Sequence, residues 1–280
     1  LVAAVVICLA AWWIRGLRYR SILASLNIKV TTGFSTASIF VSQTANLVVP
    51  ARLGDIVRVF FLKHEYDTSY KTGISSLVVE RLFDILMVAF IGLAALPFVI
   101  NVPDWVYIMV VVPIVAGAVF FAILLVAGRF RSQNKYITLF LSMLEEVGNA
   151  SLPWRSVVLL ALSSLVIWLL DIGVCVAIVA MFQQEIPFAV VALAIVVGNL
   201  VKAVPITPGG IGTYEFSLAV IFQLAGVTPV IATLIAVIDH LVKNLVTVAG
   251  GVVSIYFFGD WVVAILKKAF NRELVRGDQA

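Results

Sequence analysis

Pro205-Ile-Thr-Pro-Gly-Gly-Ile-Gly212 interrupts the otherwise apolar stretch Phe188–Leu224. Pro50-Ala-Arg-Leu-Gly-Asp55 interrupts Gly33–Leu62 in the same way. A spanning helix needs about 20 mostly apolar residues. Each interrupted stretch holds two segments of roughly 11 to 18 residues, too short to cross, which predicts a re-entrant helical hairpin. The two breaks also resemble each other: Pro50-x-x-Leu-Gly54 aligns with Pro208-x-x-Ile-Gly212. Glu80-Arg-Leu-x-Asp84 begins thirty residues after Pro50, and Asp239-His-Leu-x-Lys243 begins thirty-one after Pro208. Each unit therefore reads as span, broken hairpin, charged span.

The composition fits a membrane fold. Of 280 residues, 62% are hydrophobic and only 12% charged, against about a quarter charged in a soluble domain. A soluble enzyme, a disordered regulator and a nucleic-acid binder are excluded. Cys8 and Cys175 lie in apolar runs and predict neither a disulfide framework nor a metal site. Full spans are expected at Ser75–Ile100, Trp105–Ala127, Arg155–Phe182 and Val230–Phe258. Val2–Ile14 is a shorter fifth, starting at Leu1 with no initiator Met, so one more helix is expected before it. The expected fold is an all-α polytopic membrane protein, an inverted repeat of about five full spans plus two re-entrant hairpins. Repeat 1 covers about 1–100, a linking helix 105–127 and repeat 2 about 154–258, with a basic tail at 259–280. Such repeats meet at mid-membrane in many transporters, and their broken helices mark the substrate site.

Charge assigns the sides. With both hairpins returning to the side they left, 14 of the 19 Lys and Arg fall on one face, in loops 15–32, 63–73 and 128–153, at Arg155 and in the C-terminal tail. By the positive-inside rule that face is cytoplasmic, which implies a multi-pass protein of the cell membrane. Trp12, Trp13, Trp105, Trp154 and Trp261 are expected at span ends as interfacial anchors.

The other five bases, Arg52, Arg58, Arg81, Lys202 and Lys243, lie inside membrane segments with six acids, Asp55, Glu80, Asp84, Asp171, Glu215 and Asp239. Each costs about 2.5–3.5 kcal/mol at the bilayer centre, so they must pair or line a wet cavity. Glu80 and Asp84 share a helix face with Arg81 between them, and Asp239 and Lys243 are also spaced i,i+4. Asp171 is expected to pair with a base such as Lys202. At the tips, Pro208, Gly209, Gly210 and Gly212 open the helix carrying Tyr214 and Glu215, and Pro50 opens the one carrying Arg52, Asp55 and Arg58. Glycine permits the positive φ that aims backbone N–H groups at one point, and a helix start attracts anions. An anionic head group is the guest these features suit. No HExxH, GxSxG or P-loop is present, and no cofactor or metal is expected.

Trp13-Ile-Arg15…Arg18, Asn46-Leu-Val-Val-Pro-Ala-Arg-Leu-Gly-Asp-Ile-Val-Arg58, Val79-Glu-Arg-Leu-Phe-Asp84 and Pro208-Gly-Gly-Ile-Gly-Thr-Tyr-Glu215 resemble the flippase-like family, that of the transmembrane region of lysylphosphatidylglycerol synthase. The resemblance covers nearly the whole chain. It implies re-entrant helices and movement of a phosphate-bearing lipid between leaflets, either an anionic or aminoacylated phospholipid or, as for stand-alone archaeal members linked to glycosylation, a polyprenyl or dolichyl phosphate carrier. Asp55 stands where the family usually has Glu, His240 where Arg is common, and Thr247 where Pro is common. There is no soluble synthase domain, so lysyl-lipid synthesis is not expected.

The expected function is a flippase or scramblase rather than an enzyme. Phosphate would be neutralised by Arg52, Arg58, Arg81 and Lys202, and Glu80, Asp84, Glu215 and Asp239 would hold these bases when the site is empty. The alternatives are a proton-coupled transporter of a small anion, working through Asp171 or Glu215, and a non-transporting scaffold for a membrane glycosyltransferase.

Overall fold

A computed structural model describes residues 1–49, 52–100, 102–204 and 207–259. Pro50, Pro205, Trp261 and most of the basic tail lie outside them. The described residues form helices joined by short turns. Helix α1 (Val2–Ser25) is followed by α2 (Thr32–Val48) and α3 (Gly54–Tyr66), then by α4 (Tyr70–Ala95). Next come α5 (Asp104–Ala127) and α6 (Lys135–Ser151). The second unit is α7 (Trp154–Met181), α8 (Phe188–Ala203), α9 (Thr213–Leu224) and α10 (Pro229–Phe258).

Helices α1, α5, α7 and α10 are long and apolar enough to cross a membrane. Helix α4, with 26 residues, reaches about 39 Å at 1.5 Å per residue, and so has the length to cross although it carries Glu80, Arg81 and Asp84. Helices α2, α3, α8 and α9 have 17, 13, 16 and 12 residues, or about 18–26 Å, short of the roughly 30 Å of hydrocarbon. Within each of these two pairs the helices pack on one another, as re-entrant hairpins require. The protein is an all-α, multi-pass membrane protein.

The packing scheme is symmetric. Matching α1–α4 with α7–α10 in order, α1 packs on α7, and each charged span packs on the other repeat's hairpin: α4 on α8 and α10 on α2. The contacts of α3 with α4 and of α9 with α10 correspond, as do those of α1 with α2 and of α7 with α8. A two-fold relation between the repeats produces this pattern.

Several boundaries differ from the sequence reading. The span expected at Ser75–Ile100 is α4, Tyr70–Ala95, and since α3 runs to Tyr66 the loop 63–73 shrinks to 67–69, because Ser69 caps the start of α4. Helix α1 does not stop at Ile14; it continues through Arg15, Arg18 and Arg20 and ends where Asn27 adopts φ 64°, a left-handed conformation that Asn tolerates. The loop 15–32 shrinks to 26–31, because nothing between Ile14 and Ser25 breaks a helix. The loop 128–153 contains α6, whose Glu146 pairs with Lys71 at 2.6 Å and accepts from Ser75 at 3.0 Å. Trp12 and Trp13 fall in mid-helix, and Trp12 stacks on Phe40 at 4.7 Å; Trp105 and Trp154 do sit, exposed, at helix starts.

The core has two parts. One surrounds α8, where Val190–Gly198 is buried throughout, and takes in α7, α9, α10 and the end of α4. The other joins α1, α2, α3 and the start of α4 to α6. The charged groups lie where the two meet.

Candidate functional site between the hairpin tips

Pro208–Gly210 forms a single 3-10 turn, separate from α9, which starts only at Thr213. Gly209, Gly210 and Gly212 have φ of 64°, 79° and 84°, a region that costs other residues about 1–2 kcal/mol. Space demands glycine too: a Cβ at Gly209 would sit 2.9 Å from Leu47 Cδ2, and one at Gly210 2.7 Å from Lys202 Cγ. The second tip therefore rests directly on the end of α2 and on the stem of Lys202. Glu215 accepts from the Gly212 N–H at 2.7 Å, satisfying one free donor of the helix start. At the first tip Arg52 precedes α3 and has φ 54°, strain of the kind that collects at functional sites.

The first charge network is tightly closed. Asp55 Oδ1 accepts from Gln43 and Asn46 at 2.9 Å and from Ser42 at 3.1 Å, all three on α2. Arg81 holds the other oxygen of Asp55 at 3.1 Å. Arg58, 0% exposed, donates to Glu80 at 2.5 Å, reaches Asp55 at 3.4 Å and lies 4.8 Å from the Tyr19 ring. From α1, Arg18 grips Asp84 with two nitrogens at 2.5 and 2.9 Å and donates to Ser164 at 2.7 Å. Trp168 also donates to Asp84, at 3.3 Å.

The second network centres on α10. Lys243 pairs with Asp239 at 2.9 Å and with Asp171 at 3.3 Å, and Tyr214 donates to Asp239 at 2.7 Å. Arg15 reaches Asp171 at 3.5 Å. His240 Nδ1 lies 2.6 Å from Glu215, and its Nε2 lies 3.1 Å from Lys202 Nζ. Asp171 is thus held by Lys243 and Arg15, not by the Lys202 expected from sequence, which faces His240 instead.

Between the networks lies a cavity with about 1110 Å³ of empty space, part of it open to solvent. Its walls bring together Arg52, Glu80, Arg81, Asp84, Lys202, Gly209, Gly210, Tyr214, His240 and Lys243 of the predicted site residues. The other six do not line it: Asp55, Arg58, Glu215 and Asp239 pair with residues that do, and Pro208 and Gly212 are exposed at the tip. Arg58 cannot neutralise a ligand from its position, because it is enclosed and its charge is met by Glu80 and Asp55. Among the described residues, Arg52 and Lys202 are the cavity-lining bases without a carboxylate in ion-pair contact.

Sequence reasoning missed Arg15 and Arg18. Counting them, seven bases meet six acids rather than five meeting six. Their i,i+3 spacing puts them on one helix face, a usable signal hidden by placing them in a loop. It also missed Gln43, Asn46 and Ser42, a polar stripe in an apolar hairpin helix.

The family profile described as the lysylphosphatidylglycerol synthase TM region matches residues 1–251. Among relatives, the glycosyltransferase AglD of Haloferax volcanii is 36% identical over 302 residues, covering 90% of this chain and 48% of that protein. The chain thus spans about half the length of that relative. A UPF0104 membrane protein of Methanocaldococcus jannaschii is 26% identical over 223 residues, 75% of this chain and 92% of its own length. One of Methanothermobacter thermautotrophicus is 22% identical over 257 residues, 79% and 72% respectively. No solved structure matches the chain. With a family match over nearly all of the described residues, the chain belongs to the lysylphosphatidylglycerol synthase transmembrane-region family.

Proposed function

We propose that this protein carries a phosphate-bearing lipid between the leaflets of the cell membrane, with the phosphate held between the two hairpin tips. The observation that carries the reading is the pair Arg52 and Lys202: two cavity bases without carboxylate partners, beside a glycine tip, in a site whose other bases are matched by acids. An unmatched cation within a membrane protein is costly unless a ligand or water meets it. A phosphate accepts several such hydrogen bonds at once. Arg81 and Lys243 also face the cavity and, while staying paired with their carboxylates, add positive charge to its walls. The chain works by transport, not catalysis, through rocking of the two repeats about the tips. The cytoplasmic face is the one bearing the basic loops, including Lys63, Lys71 and Arg129–Arg131.

The relative named as a glycosyltransferase favours a sugar-linked phosphate carrier, a polyprenyl or dolichyl phosphate, over an aminoacylated phospholipid. It also favours action beside a membrane glycosyltransferase. The test is purified protein in vesicles holding a fluorescent polyprenyl phosphate or phosphatidylglycerol in one leaflet. Wild type speeds movement to the other leaflet, and Arg52→Ala and Lys202→Ala each slow it at least tenfold, about 1.4 kcal/mol. Absence of accelerated movement for every phosphate lipid, or full activity in both variants, removes the reading.

A further inference from the structure

His240 stands in the second repeat where Arg81 stands in the first, and Glu215 meets it as Asp55 meets Arg81. One pair is a guanidinium, permanently charged, and the other an imidazole, which can gain or lose a proton near neutral pH. The hydrogen bonds define its present state. A lysine ammonium only donates and a carboxylate only accepts. With Lys202 at Nε2 and Glu215 at Nδ1, the ring is neutral, with its hydrogen on Nδ1 and its Nε2 lone pair taken by Lys202. Lys202 is also one of the two bases without a carboxylate partner. Anything that draws its ammonium aside frees Nε2 toward the cavity, whose wall His240 forms.

We infer that phosphate binding draws Lys202 from His240 and that Nε2 then takes a proton from cavity water, so that each phosphate is bound together with one proton. The inference rests on the phosphate site proposed above. One N–H bond forms at Nε2, and the bulk water supplies the proton. The resulting imidazolium lies between the Glu215 carboxylate and the arriving phosphate. The other charged and titratable groups of the cavity walls and their partners are Tyr214 from α9, stacked 4.6 Å away, Asp239 and Lys243 from α10, Asp171 from α7, Cys8 and Arg15 from α1, Arg52 beside α3, and Glu80, Arg81 and Asp84 from α4, which belong to the first network. The polar side chains that α2 presents to the cavity, Gln43 and Asn46, are neutral. Asp239, Asp171, Lys243 and Arg15 are already matched among themselves. That leaves His240 as the group whose partner leaves when the anion arrives. The proton brings a doubly charged phosphate nearer to neutrality for its passage.

The experiment uses the full chain in detergent micelles and dihexanoyl phosphatidylglycerol as probe, a phosphodiester that does not itself titrate near neutral pH. Binding heats are measured in buffers of different ionisation enthalpy between pH 6 and 8. The expected result is uptake of up to about one proton per probe bound, with affinity falling by as much as about tenfold per pH unit as pH rises. Both His240→Gln and His240→Arg lose the proton uptake and the pH slope, whatever their affinity. Binding without proton uptake, or uptake that persists in both variants, overturns the proton linkage and leaves the phosphate site standing. Absence of any binding heat overturns both.

Discussion

Arg58 and Arg52 lie on either side of the first turn of α3, and their surroundings give them opposite roles. Arg58 is sealed between Glu80, Asp55 and the Tyr19 ring, so replacing it strands buried carboxylates. Breaking a buried pair from one side costs about 3–5 kcal/mol. Arg58→Met is therefore expected to lower the melting temperature in detergent by many degrees or to prevent recovery of folded protein. Among the described residues Arg52 has no such partner, and Arg52→Met is expected to leave the melting temperature unchanged while weakening phosphate binding. Equal melting temperatures for the two variants would show that the first network does not hold the fold. Arg18 belongs with Arg58: it is 2% exposed and holds Asp84 with two nitrogens.

At the scale of elements, glycines decide how closely helices approach. Gly54, the first residue of α3, lies against α2: a Cβ there would come within 2.5 Å of Ser42 O and 2.6 Å of the Asn46 nitrogen. Those residues are two of the three α2 donors to Asp55, so the close approach and the polar clasp are one feature. Gly54→Val is expected to force the hairpin apart at a cost of about 1–3 kcal/mol, read as a lower melting temperature. Gly128→Ala, where nothing lies within 4 Å, serves as the neutral comparison; an equal loss in both would refute the packing argument. Helices α5 and α8 make a second point about elements. Over Val190–Gly198 α8 is as apolar on all sides as α5, yet that stretch is enclosed by protein and α5 leaves most of its side chains exposed. All-round hydrophobicity is what either lipid or protein interior selects, so only neighbours distinguish them.

For the whole molecule, the question is whether the repeats move against each other. The α1–α7 contact lies on the two-fold relation, and a Cβ at Gly173 would lie 3.6 Å from Ile7 Cγ2. The close approach of the two positions makes them a candidate pair for a cross-link between α1 and α7. In a chain with Cys8 and Cys175 replaced by Ala, Ile7→Cys with Gly173→Cys is expected to cross-link on oxidation and to stop lipid movement, with activity restored by reductant. Full transport in the cross-linked protein would exclude rocking at this contact. The same symmetry explains why the charges are matched across distant segments: α1 supplies Arg18 to the first network and Arg15 to the second, so one helix face ties the halves together.

The two broken hairpins, the need for glycine at 209, 210 and 212, and the pairing of Asp239 with Lys243 were legible in the amino-acid sequence, because each depends on residues a few positions apart. Helix length against bilayer thickness, φ freedom and i,i+4 spacing are local quantities. The ends of α1 and the partners of Asp171, Arg18 and Lys202 were not legible. Nothing local ends α1 at Ile14 or obliges it to continue, and the bonds from Arg18 to Asp84 and from Arg15 to Asp171 join residues 66 and 156 positions apart. Which cation meets which carboxylate depends on how the two repeats are laid together. That packing, by matching the other cavity bases with acids among the described residues, also left Arg52 and Lys202 without a carboxylate in ion-pair contact.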